Sequence, residues 1–453
     1  MAMATTGNQL RSVVVVGAGV FGLSTALHFK RLHPEASVTV IDRIRENRGG
    51  ASSDLNKIVR ADYPDPVYMK LAIEAQELWR NDPIFKPYYH QCGMLFAEEI
   101  NMGRDSYANY RKLGQEVLSG ELMPVEEGHA RFPIFEDANW ADTEYNYYNP
   151  HSGWGEAEEA MHSIFQATLD AGVEFIEATV QKLHLSADRS CLGVTVLKDG
   201  EMIEILGDRT VVCTGAYTAK LLADTAPEWD ELQINGRMVA AAAVQCQASY
   251  PPDQEEKLQQ APVHFIGMWH THGTSGHQGE SIPPFKGRLK FNCEVSFLNM
   301  THHEGLGKEI SIPPPAQSQS TFSQDVPDGL KQEVANVVKN TYGNHVPGIQ
   351  IESYRMDAVS PNQDFVIDNH PHCPNLVIAG AGSFHSWKFL PTIGRYVVQR
   401  IEGTLEEGLA RKWAWDRDNS GGACEMYIPS RDLKDIGPFE GWPRPGEKLP
   451  VAQ

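Results

Sequence analysis

Apolar positions in this chain fall into short continuous runs and longer amphipathic stretches, and each pattern predicts an element. Val13-Val14-Val15-Val16 is a run of β-branched residues, as expected of a strand covered on both faces. It stops at Gly17, and Leu23-Ser24-Thr25-Ala26-Leu27-His28-Phe29 continues as a helix. Ser37-Val38-Thr39-Val40-Ile41 is a second buried strand, ending at Asp42, and residues 43–56 read as a polar loop. Tyr68, Leu71, Ala72, Ala75, Leu78 and Trp79 recur at helical spacing, and Pro83 closes that helix. Gly93-Met94-Leu95-Phe96 reads as a strand. Gly153-Trp154-Gly155 is expected to open a helix that buries Met161, Ile164, Phe165 and Thr168. A strand over 173–176 leads into an antiparallel ribbon through 178–180, 193–197 and 202–205, with a turn at Asp199-Gly200. Residues 210–216 form another buried strand, which stops on Thr214-Gly215-Ala216 beside the first one. Further strands are expected over 240–244 and 287–291, and Leu330, Val334, Val337 and Val338 mark an amphipathic helix. Pro313-Pro314-Pro315 and the Gln/Ser run after it read as a surface loop. Asn375 to Gly382 is a last strand ending in glycines, and the helix after Pro391 and Gly394 is expected to aim its positive end at a ligand.

The order strand, helix, strand, ribbon, strand predicts an α/β fold: a Rossmann-like flavin-binding domain with a second, mixed-sheet substrate domain. The chain visits the second domain twice. The expected division is 1–88, 148–220 and 352–415 for the cofactor domain, 89–147 and 221–351 for the substrate domain, and 416–453 for a tail. Gly17, Gly19 and Gly22 make G-x-G-x-x-G between a strand and a helix. The first glycine forms the tight turn and the second lets backbone N–H groups approach a pyrophosphate. The third lets the helix pack on the strand with its N-terminus toward the phosphates. Ala18, Val20 and Phe21 complete that turn, and Asp42 is spaced to accept the ribose hydroxyls. Arg43, Ser52, Ser53, Val180, Thr214, Gly215 and Ala216 are expected to line the same dinucleotide site.

Composition narrows the partners. With 59 acidic and 39 basic residues the net charge is −20, which argues against nucleic acid or an anionic membrane. No apolar run is long enough to span a bilayer, and a soluble cytoplasmic monomer acting on a small molecule is expected. The C-terminal residues are not a peroxisomal Ser-Lys-Leu address. Seven cysteines without a C-x-x-C suit neither a disulfide framework nor a zinc site. His270, His272 and His277 sit in a Gly/Ser/Thr-rich stretch and read as loop histidines, so no metal is expected.

Four segments together resemble a known family: the N-terminal fingerprint, Asn56-Lys57-Ile58-Val59-Arg60, Gly287-Arg288-Leu289-Lys290, and Gly382-Ser383-Phe384-His385-Ser386-Trp387-Lys388-Phe389-Leu390-Pro391-Thr392-Ile393-Gly394. They are similar to the monomeric sarcosine oxidase and fructosyl amino acid oxidase (amadoriase) group of FAD-dependent amine oxidases, from Val13 to about Arg411. The resemblance implies a glutathione-reductase/D-amino-acid-oxidase type of cofactor domain. It matches Arg60 and Lys388 to two cations that hold a substrate carboxylate, and Lys57 to a basic residue over the flavin. Lys290 matches the lysine that activates oxygen, and Glu294 an acidic position near the sugar of amadoriase substrates. Gly382, Phe384, Trp387, Lys388 and Lys57 are thereby placed against the cofactor. The chemistry suits these roles: two cations fix an amino acid's carboxylate so that its α-C–H faces the flavin, and an ammonium stabilises charge developing on oxygen.

One departure stands out. The family usually tethers its flavin through a Cys-Trp pair just upstream of the segment matching Asp364-Phe365-Val366-Ile367-Asp368. Here Tyr354-Arg355-Met356-Asp357-Ala358-Val359 lacks those two residues. The FAD is therefore expected to be non-covalent, with Cys293, near Lys290, as the one remote alternative tether. The reading is oxidation of a secondary-amine amino acid (N-alkyl, cyclic or fructosyl) to an imine with oxygen as acceptor, giving hydrogen peroxide. Two others stay open: a biosynthetic oxidase or dehydrogenase of secondary metabolism whose imine is trapped by cyclisation, and a flavin-binding homologue with impaired turnover.

Overall fold

The valines of β1 (Ser12–Val16) are each at most 2 % exposed, so the strand needs cover on both faces and takes the middle of a sheet. The structure is a computed structural model and describes residues 10–45, 50–98, 101–140, 143–271, 274–315, 325–343, 346, 348–419, 429 and 431–438. β1 pairs in parallel with β2 (Ser37–Asp42) on one side and with Arg209–Val212 on the other, Val15 facing Val40 and Val211. Glu174–Glu177 extends the sheet beyond β2. Leu376–Gly380 extends it beyond Arg209–Val212, and Val366–Asn369 closes that edge antiparallel.

Alternation along β1 divides the cover. Val13 and Val15 pack with α1 (Val20–Leu32) and the helices Ala157–Asp170 and Ile393–Glu402, whereas Val14 and Val16 pack with the ribbon residues Leu183, Val194 and Val196. Each buried valine contributes about 1.5–3 kcal/mol. The ribbon turns at Asp199 and Gly200, both at positive φ, as a two-residue hairpin requires.

A second, mixed sheet of eight strands runs Gly348–Tyr354, Val244–Ser249, Arg288–Cys293, Thr274–Phe285, Val263–Thr271, Met94–Glu98, Tyr145–Asn149 and Glu121–Pro124. The helix Asp328–Tyr342 lies on its back, burying Leu330, Val334, Val337 and Val338 against Leu289, Phe291 and Cys293. Side chains alternate along Arg288–Cys293, so Lys290, Asn292 and the following Glu294 face the other way, into a cavity between the two sheets.

Four local expectations change. Gly153-Trp154-Gly155 does not open a helix: Gly153–Glu156 is a strand paired with β3 (Asn56–Val59), and the helix begins at Ala157. The glycines serve close approach, since a Cβ on Gly153 would lie 2.0 Å from the His90 carbonyl oxygen. The 240–244 stretch breaks at Ala243. Val239–Ala242 joins a small sheet with Phe297–Leu298 and Asp357–Val359, and Val244–Ser249 enters the large one. The N-terminus of Ile393–Glu402 is packed rather than aimed at a ligand: Gly394 donates to Ser24 Oγ (2.9 Å), and a Cβ there would meet the Ser24 backbone at 2.0 Å. Pro313 to Pro315 line the cavity, while the Gln/Ser run and the side chains of His270, His272 and His277 lie outside the described residues. Among the described residues, no helix is long and apolar enough to cross a membrane.

Candidate active site

The cavity holds about 1140 Å³, above the roughly 300–1,000 Å³ of ordinary ligand sites, and reaches from the turn after β1 to the face of the large sheet. At its first end Gly17 adopts φ +102°, and a Cβ there would stand 2.5 Å from the Cys213 carbonyl oxygen. Gly22 sits against Gly17, with room for hydrogen only: a Cβ would lie 1.8 Å from the Gly17 oxygen. The Asp42 carboxylate accepts from the Ala18 N–H (2.7 Å), and Ser52 Oγ accepts from the Val20 N–H (3.1 Å). Burial pushes the Asp42 carboxyl up, against the N–H bonds it receives. The Arg43 guanidinium lies 4.6 Å from the Tyr217 ring centroid.

Every residue expected at the cofactor lines this cavity except Ala18, Gly22 and Ser53, which lie beneath or beside it. The lining fits a dinucleotide. Gly215 has open space where a Cβ would be, and the Trp387 indole N–H, in a residue only 7 % exposed, finds no protein partner. Trp387 stacks on Trp79 at 4.9 Å. Between Gly380 and His385 the backbone takes positive φ at Ala381 (55°), Ser383 (49°) and Phe384 (65°), strain of the kind that marks ligand-holding segments. Asp357 secures it by accepting the Phe384 N–H (2.8 Å).

At the other end cations gather around a carboxylate that sequence reasoning missed. Asp54, 2 % exposed, receives Lys290 Nζ at 2.6 Å, Lys57 Nζ at 3.2 Å and Arg355 at 3.4 Å. Burial works to raise its pKa, but the three cations win and hold it well below the usual carboxylate range. Lys290 also donates to the Asn56 carbonyl (3.0 Å), and burial brings its ammonium down to about 8. Asp54 stood in a stretch that reads as plain loop, with only the Asp-x-x-Lys spacing to Lys57 as a signal. Arg355 belongs to the shortened segment itself, and nothing in its local sequence marks it.

Arg60 and Lys388 meet around Tyr63. The Arg60 guanidinium lies 4.8 Å from the Tyr63 ring centroid and Lys388 Nζ 5.2 Å from it. Lys388 Nζ donates to the Tyr63 hydroxyl (2.9 Å) and the His385 carbonyl (3.1 Å). Burial, and then the neighbouring Arg60, push the Lys388 ammonium well down. Glu280 faces the same space from the strand beside Glu294, opposite Asn292, whose amide donates to it (3.0 Å). Burial, and then the neighbouring Glu280, raise the Glu294 carboxyl well above the usual carboxylate range.

Arg60, Lys57, Lys290, Lys388 and Glu294, drawn from distant segments, thus border one space. Cys293 does not. It is buried on the back of its strand with Sγ 3.9 Å from the Glu333 carboxylate, so the period of the strand turns it away from the cavity. Among the described residues Cys213 is the one cysteine lining the cavity, at the Gly17 end.

Comparison with known proteins identifies the family. Residues 12–400 match the model of a family described as FAD dependent oxidoreductase. The chain is 26 % identical to an L-saccharopine oxidase of Schizosaccharomyces pombe over 440 residues, covering 90 % of this chain and 94 % of that one. A modified fructosyl peptide oxidase of Aspergillus nidulans superposes with a TM-score of 0.78 at 25 % identity, covering 96 % and 100 %. The fructosyl peptide oxidase of E. terrenum does so with a TM-score of 0.80 at 24 % identity, covering 96 % and 99 %. With the match running through β1, both sheets and the Lys388 segment, the chain belongs to the FAD-dependent oxidoreductase family.

Proposed function

We propose that this FAD-dependent enzyme oxidises a secondary-amine amino acid, N-alkyl, cyclic or fructosyl, to an imine, with oxygen as acceptor and hydrogen peroxide as by-product. The observation that carries this reading is the convergence of Arg60 and Lys388 on one buried pocket rim. Lys388 makes no ion pair among the described residues, so its ammonium, when formed, has a substrate carboxylate as the partner the cavity can bring to it. FAD, when bound, takes the two electrons of the C–H bond beside the amine. Arg60 and Lys388 fix the carboxylate and hence which C–H is presented. Lys290 supplies positive charge where oxygen gains electrons, and Asp54 fixes its ammonium. The neighbours' names, saccharopine and fructosyl peptide oxidases, fit a substrate bulkier than sarcosine, as does the acidic Glu294 beside Glu280 in the cavity wall. The FAD is held without a covalent bond, since no cysteine of the described residues reaches the Lys290 end of the cavity.

A second reading draws on one contact: Lys290 is already neutralised by Asp54 at 2.6 Å, which favours an acceptor other than oxygen, as in a biosynthetic dehydrogenase. Peroxide release with sarcosine, pipecolate, saccharopine and fructosyl-valine tests the first reading. Flavin reduction by one of these without peroxide selects the second. Reduction by none of them, with FAD bound, refutes both.

A further inference from the structure

His385 fixes the hydrogen bonding around Lys388. Its Nε2 lies 2.9 Å from the Gln363 carbonyl, which only accepts, so Nε2 carries the proton. Burial and the adjacent Lys388 push this imidazole down to about 3, so the ring is neutral and Nδ1 is an acceptor. The Tyr63 hydroxyl, 3.1 Å away, gives its single hydrogen to Nδ1 and can only accept from Lys388. Lys388 Nζ therefore faces two acceptors, the Tyr63 oxygen and the His385 carbonyl. A neutral amine satisfies both with its two hydrogens and is left with a lone pair facing the cavity. The charges around it are Arg60 and Lys57, which repel a proton, and Glu280 and Glu294, which attract one from the far strands.

We propose that Lys388 stands as a neutral amine before substrate binds and takes the proton from the substrate's ammonium. This rests on the amino-acid substrate proposed above. An amino acid arrives as a zwitterion, and its protonated nitrogen has no lone pair to support loss of hydride from the neighbouring carbon. One N–H bond breaks on the substrate, leaving its electron pair on the substrate nitrogen, and one forms at Lys388 Nζ. No net charge enters or leaves. The amine becomes oxidisable, and the new ammonium pairs with the substrate carboxylate beside Arg60. One proton transfer thus activates the substrate and completes its clamp.

The test is calorimetric titration of the FAD-loaded enzyme at pH 8 with (methylthio)acetate, which has the carboxylate but no ionisable amine, in buffers of differing ionisation enthalpy. About one proton taken up per ligand bound is expected, and none in Lys388→Arg, which is charged throughout. Zero uptake by the unaltered enzyme overturns the proposal. If the ligand gives no heat, acylation with acetic anhydride across pH 6–10, read by peptide mass spectrometry, decides. Lys388 modified at lower pH than the exposed Lys308 supports the proposal; modification together with or after Lys308, or none, overturns it. Zero uptake combined with flavin reduction by a secondary-amine amino acid removes this proposal alone. Proton uptake with no such reduction removes the proposed reaction alone.

Discussion

Asp54 is the residue on which the cationic end of the cavity depends. Asp54→Asn leaves the buried Lys290 and Arg355 and the part-exposed Lys57 without their carboxylate, and a loss of about 3–5 kcal/mol is expected. Urea unfolding at pH 7 measures it. The sign with pH follows from the direction of its shift. Folded Asp54 titrates below its usual 3.8, so its contribution is complete above that value and is lost as the pH falls below it. The gap in stability between the parent protein and Asp54→Asn should therefore narrow on acidification through pH 4 to 2; a constant gap removes the ion-pair explanation. Lys290→Met tests the oxygen role: reoxidation of reduced enzyme should slow by roughly 10²–10³-fold with anaerobic reduction spared. Unchanged reoxidation assigns Lys290 to structure alone. None of this cluster was legible as a cluster, because Asp54 and Lys290 are separated by 236 positions and only the fold brings them together.

At the scale of elements, legibility followed the strength of the period. β1, α1 and β2 carry unbroken apolar patterns and stand where those patterns put them. The Gly153–Glu156 strand was misread because glycine contributes no side chain to a pattern; its place was decided by how closely His90 and Trp387 approach. Alternation along Arg288–Cys293 is the most informative small pattern in the chain. It sends Lys290 to the cavity and Cys293 to the core, a distinction that proximity in sequence hides. Gly22→Ala tests the fingerprint turn. With a Cβ placed 1.8 Å from the Gly17 oxygen, the turn must open. A cost of about 1–3 kcal/mol is expected in thermal unfolding, together with weakened FAD retention. Normal retention would show that the α1 N-terminus does not hold the phosphates.

For the whole molecule, two sheets bring together what the chain keeps far apart, and the cavity lies in the seam between them. The chain order of strands and ribbon was enough to anticipate this architecture, whereas the seam's charge balance was not. Among the described residues no cysteine lines the Lys290 end, so acid precipitation should leave the yellow flavin in the supernatant; flavin retained on the pellet would mean a covalent bond. The central claim is that Arg60 and Lys388 hold a carboxylate while the bond beside the amine is oxidised. Anaerobic titration of the FAD-loaded enzyme tests it most directly, comparing a secondary-amine amino acid with the same amine lacking its carboxylate. The account predicts bleaching of the flavin absorbance by the amino acid and at least ~100-fold weaker reduction by the decarboxylated amine. Equal reduction by the two, or none by any secondary-amine amino acid, would contradict it.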